Sequence, residues 1–197
     1  FRDFNGLNDL NLNDLGFPRD CNLNLNLLYH GPDFLNDLGF SRYGKQAIYA
    51  GAFDERFKCV VARSSGSPTS CSYRFAGRQA FMESVSLEDC PELWVVDKLR
   101  TFHGRENELP VEGNALMACI APRYLMIDTA YNDGCDPTFG VERGYLSAKK
   151  VWTFLEKGEN ICLSYRKGNH EPVTEEQVRH NLDFFDFAFG SLERAVP

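Results

Sequence analysis

The chain has 197 residues, 43% hydrophobic and 25% charged, a balance that fits one globular domain or a piece of a larger one. Lysine and arginine total 21 against 28 acidic residues, a formal net charge of −7, which excludes nucleic acid as the main partner because a phosphate backbone requires clustered basic residues. No apolar run approaches the roughly 18 residues of a membrane span, and no signal peptide is visible at the start.

Residues 1–38 are dominated by Leu, Asn and Asp, and the hexapeptide Leu-Asn-Asp-Leu-Gly-Phe occurs at 12–17 and again at 35–40. Leu23, Leu25 and Leu27 alternate with asparagines, so this stretch reads either as a one-faced strand or as low-complexity coil. Asp33 to Leu38 lacks the β-branched apolar character of a buried strand, so the whole of 1–38 is set apart as an atypical segment. From Gly39 onward the pattern is α/β. Tyr43–Ala52 reads as a short helix and Cys59–Ala62 as a buried strand, whereas 64–110 is loop with short helices. Asn114–Ile120 reads as a helical turn or two, and Tyr124–Asp128 as a second buried strand. Val141, Tyr145, Ala148, Val151, Trp152 and Leu155 share one side of a helix that Gly158 stops. Ile161–Tyr165 is a third strand. Thr174-Glu175-Glu176-Gln177 fits a capping box, behind which Val178, Leu182, Phe185 and Phe189 recur at helical spacing. Strands that alternate with helices imply a parallel sheet covered on its faces.

The seven cysteines form no C-x-x-C pair, which argues against a zinc ribbon or a dithiol redox site. Cys59, Cys119 and Cys162 lie in apolar stretches and read as buried thiols; Cys71, Cys90 and Cys135 lie in loop-like sequence, where a disulfide is open to them in an oxidising compartment.

Gly39-Phe40-Ser41-Arg42-Tyr43-Gly44 precedes the first helix. A serine on a sharp strand-to-helix turn is how α/β-hydrolases present a nucleophile, and the helix N-terminus behind it favours developing negative charge. The second glycine stands three residues after the serine, one later than in the plain elbow pattern. The base belongs after the last strand, where His170 stands. His180 lies opposite the apolar face of the last helix, His103 in a charged loop, and His30 in the atypical segment. The acid belongs after the middle strand, where Asp128, Asp133 and Asp136 are all candidates. Asp133 is preferred: Asp128 still belongs to the strand, and Asp136 before Pro137 suits a helix cap. The acid orients the imidazole and stabilises its charged form.

These residues resemble the glucuronoyl esterases, carbohydrate esterase family fifteen, and their bacterial relatives described as acetyl xylan esterases. Gly39 to Lys45 matches the family's G-x-S-R-x-G-K elbow, and Ala50 to Arg56 the stretch behind it. Leu109 to Arg123 matches L-P-V-D-x-H-x-L-x-A-x-I-A-P-R, and Asp128 to Pro137 with Gly168 to Glu171 match the acid and histidine loops. The resemblance implies a three-layer α/β-hydrolase sandwich with a parallel sheet, of which residues 39–197 are the C-terminal part, with the N-terminal part incomplete. It implies a serine hydrolase that cleaves the ester of (4-O-methyl-)glucuronic acid in lignin–xylan linkages, secreted or periplasmic. Ser41, His170 and Asp133 would be catalytic and Arg42 would hold the oxyanion. Lys45, Trp94, Gln79 and Glu83 would contact the sugar. No cofactor and no metal are implied, since a positioned base and an oxyanion hole suffice.

The chain also departs from the family. Some members place the acid as a Glu at the position of Ser64, so the acid here must come from the later loop. Glu112 and Asn114 replace the Asp and His of the L-P-V-D-x-H segment. A full family domain is nearly twice as long. Two alternatives therefore stand beside the main reading: a deacetylase of the acetyl xylan esterase type, and a non-catalytic truncated remnant.

Overall fold

The computed structural model describes residues 35–76, 84–85, 95–170 and 174–193. Strand β1 (Leu35–Phe40) leads through Ser41 into helix α1 (Arg42–Phe53), and strand β2 (Phe57–Arg63) follows. After two single-turn helices, α2 (Tyr73–Ala76) and α3 (Asp97–Arg100), come α4 (Gly113–Ala118) and β3 (Tyr124–Ala130). Helix α5 (Thr138–Phe154), strand β4 (Ile161–Arg166) and helix α6 (Glu175–Glu193) complete the order. The four strands pair in the order β1-β2-β3-β4, and every pair is parallel.

The core forms on both faces of this sheet. Val60, Ala62, Leu125, Ile127 and Ile161 point to one face and pack against Ala47 and Ile48 of α1, Met117 of α4, and Val141, Ala148 and Trp152 of α5. The intervening residues Cys59, Val61, Tyr124 and Met126 point to the other face and meet Phe184, Phe185 and Ala188 of α6. Strands covered on both sides must be apolar throughout, which is why β2 and β3 read as continuous hydrophobic runs. The result is the three-layer α/β sandwich that the sequence implies.

The capping box at the start of α6 forms as expected: the backbone N–H of Thr174 donates to Gln177 Oε1 (2.8 Å), and that of Gln177 to Thr174 Oγ1 (3.4 Å). Three expectations need correction. Residues 35–40 are a strand despite their polar composition. Asn36 is buried, and burial pushes the Asp37 carboxyl up to about 6 against the pull of the Leu38 N–H. Parallel pairing with β2 overrides the poor strand propensity of this sequence, so β1 begins inside the Leu/Asn/Asp-rich segment. Leu155 falls just past the end of α5 and is exposed, outside the packed stripe. Cys119 caps α4 and is exposed, whereas Cys59 is buried as expected.

The strand register aligns the C-terminal ends that carry the site. Phe40 stands opposite Arg63, Arg63 opposite Asp128, and Asp128 opposite Ser164. Residues just beyond this row emerge at one edge of the sheet, where ligands of open α/β folds bind.

Candidate active site

The turn at Ser41 is built by crowding. Its φ is 57° and its ψ −126°, a backbone conformation that L-residues rarely adopt. Its N–H donates to the Arg63 carbonyl (2.9 Å), which ties the turn to the end of β2. A Cβ on Gly39 would lie 2.0 Å from the Tyr43 carbonyl oxygen, so β1 and the first turn of α1 approach too closely for any side chain. A Cβ on Gly44 would meet Ser65 Cβ at 2.8 Å and the Arg63 oxygen at 3.0 Å. The second glycine thus serves helix-to-strand contact, which explains its place three residues after the serine.

Three side chains from three different loops meet here. Ser41 Oγ lies 3.0 Å from His170 Nε2. His170 Nδ1 lies 3.0 and 3.1 Å from the two oxygens of Asp133. The Phe40 ring packs on the imidazole with centroids 4.9 Å apart. Asp133 is buried, and its Oδ1 accepts the backbone N–H of Cys135 (2.9 Å) and of Asp136 (3.2 Å). Burial pushes the Asp133 carboxyl up, but hydrogen bonds from His170 and Ser64, the His170 charge and the Cys135 N–H together hold it below its ordinary value. The acid and histidine loops are also joined through the backbone, since the N–H of Asn132 donates to the Gly168 carbonyl (3.1 Å).

The other two candidate acids do not touch the imidazole. Asp128 is buried between Arg63 Nε (3.0 Å) and Arg166 Nε (3.5 Å). Asp136 accepts the Gly66 N–H (3.0 Å) and the Ser70 hydroxyl (2.7 Å) and anchors the turn after β2. Burial pushes the Asp136 carboxyl up to about 6, with neighbouring Asp133 adding to the rise and Ser70 and Lys45 opposing it.

Arg42 is the first residue of α1, and its guanidinium lies over the Tyr43 ring, 5.4 Å from the centroid. The N–H groups of a first helical turn have no helical acceptor and remain available to an anion. Lys45 is half-buried and donates to the Ser65 carbonyl. Gln79, Glu83 and Trp94, expected at the sugar site, lie outside the described residues, as do His30 and Cys90, on which the expected cysteine pairing in part depends. His103 and His180 are exposed, and neither takes part in the contacts that join Ser41, His170 and Asp133. Glu112 is buried and pairs with Arg74 (2.9 Å), and Asn114 donates to Ser147 Oγ (3.0 Å), so both serve packing around α4. Among the described residues, the grouping that could offer a metal three ligands is Asp133, Cys135 and His170, with donor atoms within 4.8 Å of one another.

Sequence reasoning passed over Arg166, whose Nη2 donates to Ser64 Oγ. In sequence it reads as one of two charges opening a loop. The signal was its register: Cys162, Ser164 and Arg166 share one face of β4, so this arginine points inward under α6.

Known proteins resemble this chain in sequence and in fold. A carbohydrate esterase termed MZ0003, from an unknown prokaryotic organism, is 32% identical over 166 residues, covering 76% of this chain and 37% of the relative. A 4-O-methyl-glucuronoyl methylesterase of Podospora anserina is 29% identical over 147 residues, covering 70% of this chain and 30% of the relative. The solved structure of a glucuronoyl esterase of carbohydrate esterase family 15 from Caldicellulosiruptor kristjansonii superposes with a TM-score of 0.67 and 33% identity, covering 78% of this chain and 42% of that one. The chain therefore spans well under half the length of these relatives. The family described as "Glucuronyl esterase, fungi" matches residues 35–156. That match takes in most of the chain, which accordingly belongs to the glucuronoyl esterase family.

Proposed function

We propose that this chain carries the catalytic centre of a serine esterase that cleaves the ester of a glucuronic acid carboxyl group, with 4-O-methyl-glucuronate in lignin–xylan linkages as the substrate class. The observation that carries this reading is the continuous run Ser41 Oγ to His170 Nε2 to Asp133, each step about 3 Å long. The chemistry follows from that order. His170 takes the Ser41 proton as Oγ attacks the ester carbonyl carbon. Asp133, held anionic in a buried site, stabilises the imidazolium and fixes the tautomer that leaves Nε2 free to accept. The backbone N–H of Arg42 and its guanidinium meet the oxyanion at the start of α1. His170 returns the proton to the departing alcohol. Water then releases glucuronic acid from the acyl-serine by the same steps in reverse.

Lys45 would hydrogen-bond the sugar hydroxyls, together with Gln79 and Glu83, and Trp94 would border the ring. A cell-wall polymer as substrate places the enzyme in a secreted or periplasmic setting. The Podospora relative's name supports the uronate ester as the bond that is cut.

The test is hydrolysis of benzyl glucuronate beside Ser41→Ala. The expected result is release of glucuronic acid that falls by roughly 10³-fold or more in the variant. Release of acetate from acetylated xylan without release of glucuronic acid would move the assignment to a deacetylase. A folded chain no more active than Ser41→Ala would leave the non-catalytic reading.

A further inference from the structure

Arg166 has a place in the fold that its sequence neighbourhood does not suggest. It ends β4 with its side chain only 5% exposed. Its Nη2 donates to Ser64 Oγ and to the His170 carbonyl (3.3 Å) and lies 3.8 Å from Asp133 Oδ2. Its Nε is 3.5 Å from Asp128 Oδ1. Its own carbonyl accepts the N–H of Tyr131 (3.1 Å), two residues before Asp133. One residue therefore grips the acid loop, the histidine loop and the turn after β2.

We infer that Arg166 is a positioning residue, a buried fork that holds Asp133 and His170 in mutual register; this rests on the catalytic roles proposed above. Charge counting supports it. Arg63 and Arg166 are both buried, and Asp128 alone cannot neutralise two guanidinium groups. The cluster is balanced only when Asp133 is counted in its ionised form, the form that catalysis requires. Stability alone is a poor reason for the residue. Nη1 is buried with no hydrogen-bond partner among the described residues, so the fork is not optimised for stability, although removing this one cation leaves the Asp128–Asp133 cluster with an unbalanced charge at a cost in stability. Asp128 would keep Arg63, and Asp133 would keep its two backbone donors and His170. What Arg166 alone supplies is one rigid planar group that reaches both loops, a geometry that a lysine cannot reproduce.

The experiment compares Arg166→Met and Arg166→Lys with the parent chain. Two readouts are used: kcat and KM on benzyl glucuronate, with sites counted by phosphonate titration, and the downfield imidazole Nδ1–H proton resonance. The expected result for Arg166→Met is a folded protein whose kcat falls about 10- to 100-fold, with KM changed less than threefold and the Nδ1–H resonance broadened or lost. Arg166→Lys should recover part of kcat and part of the resonance. Both variants retaining parental kcat and an unshifted resonance would overturn the inference. So would unfolding of both variants, or a loss that disappears once sites are counted, since either assigns Arg166 to the fold alone. A parent chain that hydrolyses no ester would sink the proposed function by itself, while the proton resonance would still decide the role of Arg166.

Discussion

Asp128 lies in β3, Asp133 and Asp136 in the loop that follows it, and the three differ in what the rest of the fold brings to them. Asp128 meets two arginines, Asp133 meets an imidazole and two N–H groups, and Asp136 meets a hydroxyl and one N–H. Local pattern narrowed the acid to these three and favoured Asp133, but the contacts that distinguish them come from residues 63, 66, 70, 166 and 170, which no local pattern reveals. Asp136 carries a prediction of its own. Its carboxyl sits near 6 in the folded protein, above the ordinary value of 3.8, so the native state holds this proton more tightly than the unfolded chain. Its favourable contribution is complete below pH about 4 and is lost as the pH rises through about 6. Asp136→Asn keeps an acceptor for Gly66 and Ser70 and removes the charge that faces Asp133, although it also gives up the charge that faces Lys45. Urea midpoints should show the variant level with the parent at pH 4 and more stable at pH 8, by on the order of 1–3 kcal/mol. Equal midpoints at pH 8 would show that Lys45 already compensates the buried carboxylate.

At the scale of the element, the strand–Ser41–helix unit is tightly constrained. The two glycines that flank it fail differently when a methyl group is added. Ala at 39 drives Cβ onto a backbone carbonyl at 2.0 Å, whereas Ala at 44 meets a serine Cβ at 2.8 Å and a carbonyl at 3.0 Å. Gly44→Ala should cost about 1–3 kcal/mol and Gly39→Ala more, as measured by urea unfolding, and both should lower the esterase activity proposed for the chain by displacing Ser41. Helices α5 and α6 were legible because their apolar residues obey a helical period, and strands β2, β3 and β4 because they are short apolar runs. Val60 and Val61 in β2, and the stripe from Val141 to Trp152 in α5, state their partners by pattern alone. Strand β1 was not legible. Asn36 and Asp37 belong to a strand only because β2 offers it a parallel ladder, and no local pattern announces the partners Cys59 and Val60, 23 residues further along the chain.

Across the whole molecule, the buried charges do the work of a tie. Arg63 on β2 reaches Asp128 on β3 at 3.0 Å and Gln177 on α6 at 3.1 Å, while Arg166 on β4 reaches the same aspartate from the other side. Removing the shared anion leaves two buried cations opposed only by Asp133. Asp128→Ala should therefore destabilise the protein by about 3–5 kcal/mol in chemical unfolding, far more than loss of an exposed pair such as Arg105–Glu108. The Ser41–His170 contact joins residues 129 apart in the chain, and His170–Asp133 joins residues 37 apart. Each member stands at the end of a different strand, and the strands must be in register for the ends to align. A slip of one residue in any of them turns the inward side chains outward and carries a catalytic group out of reach. A partly assembled chain thus has no intermediate level of competence, and the unbroken contact from Ser41 through His170 to Asp133 marks only the molecules in which the strands that carry them have found their places.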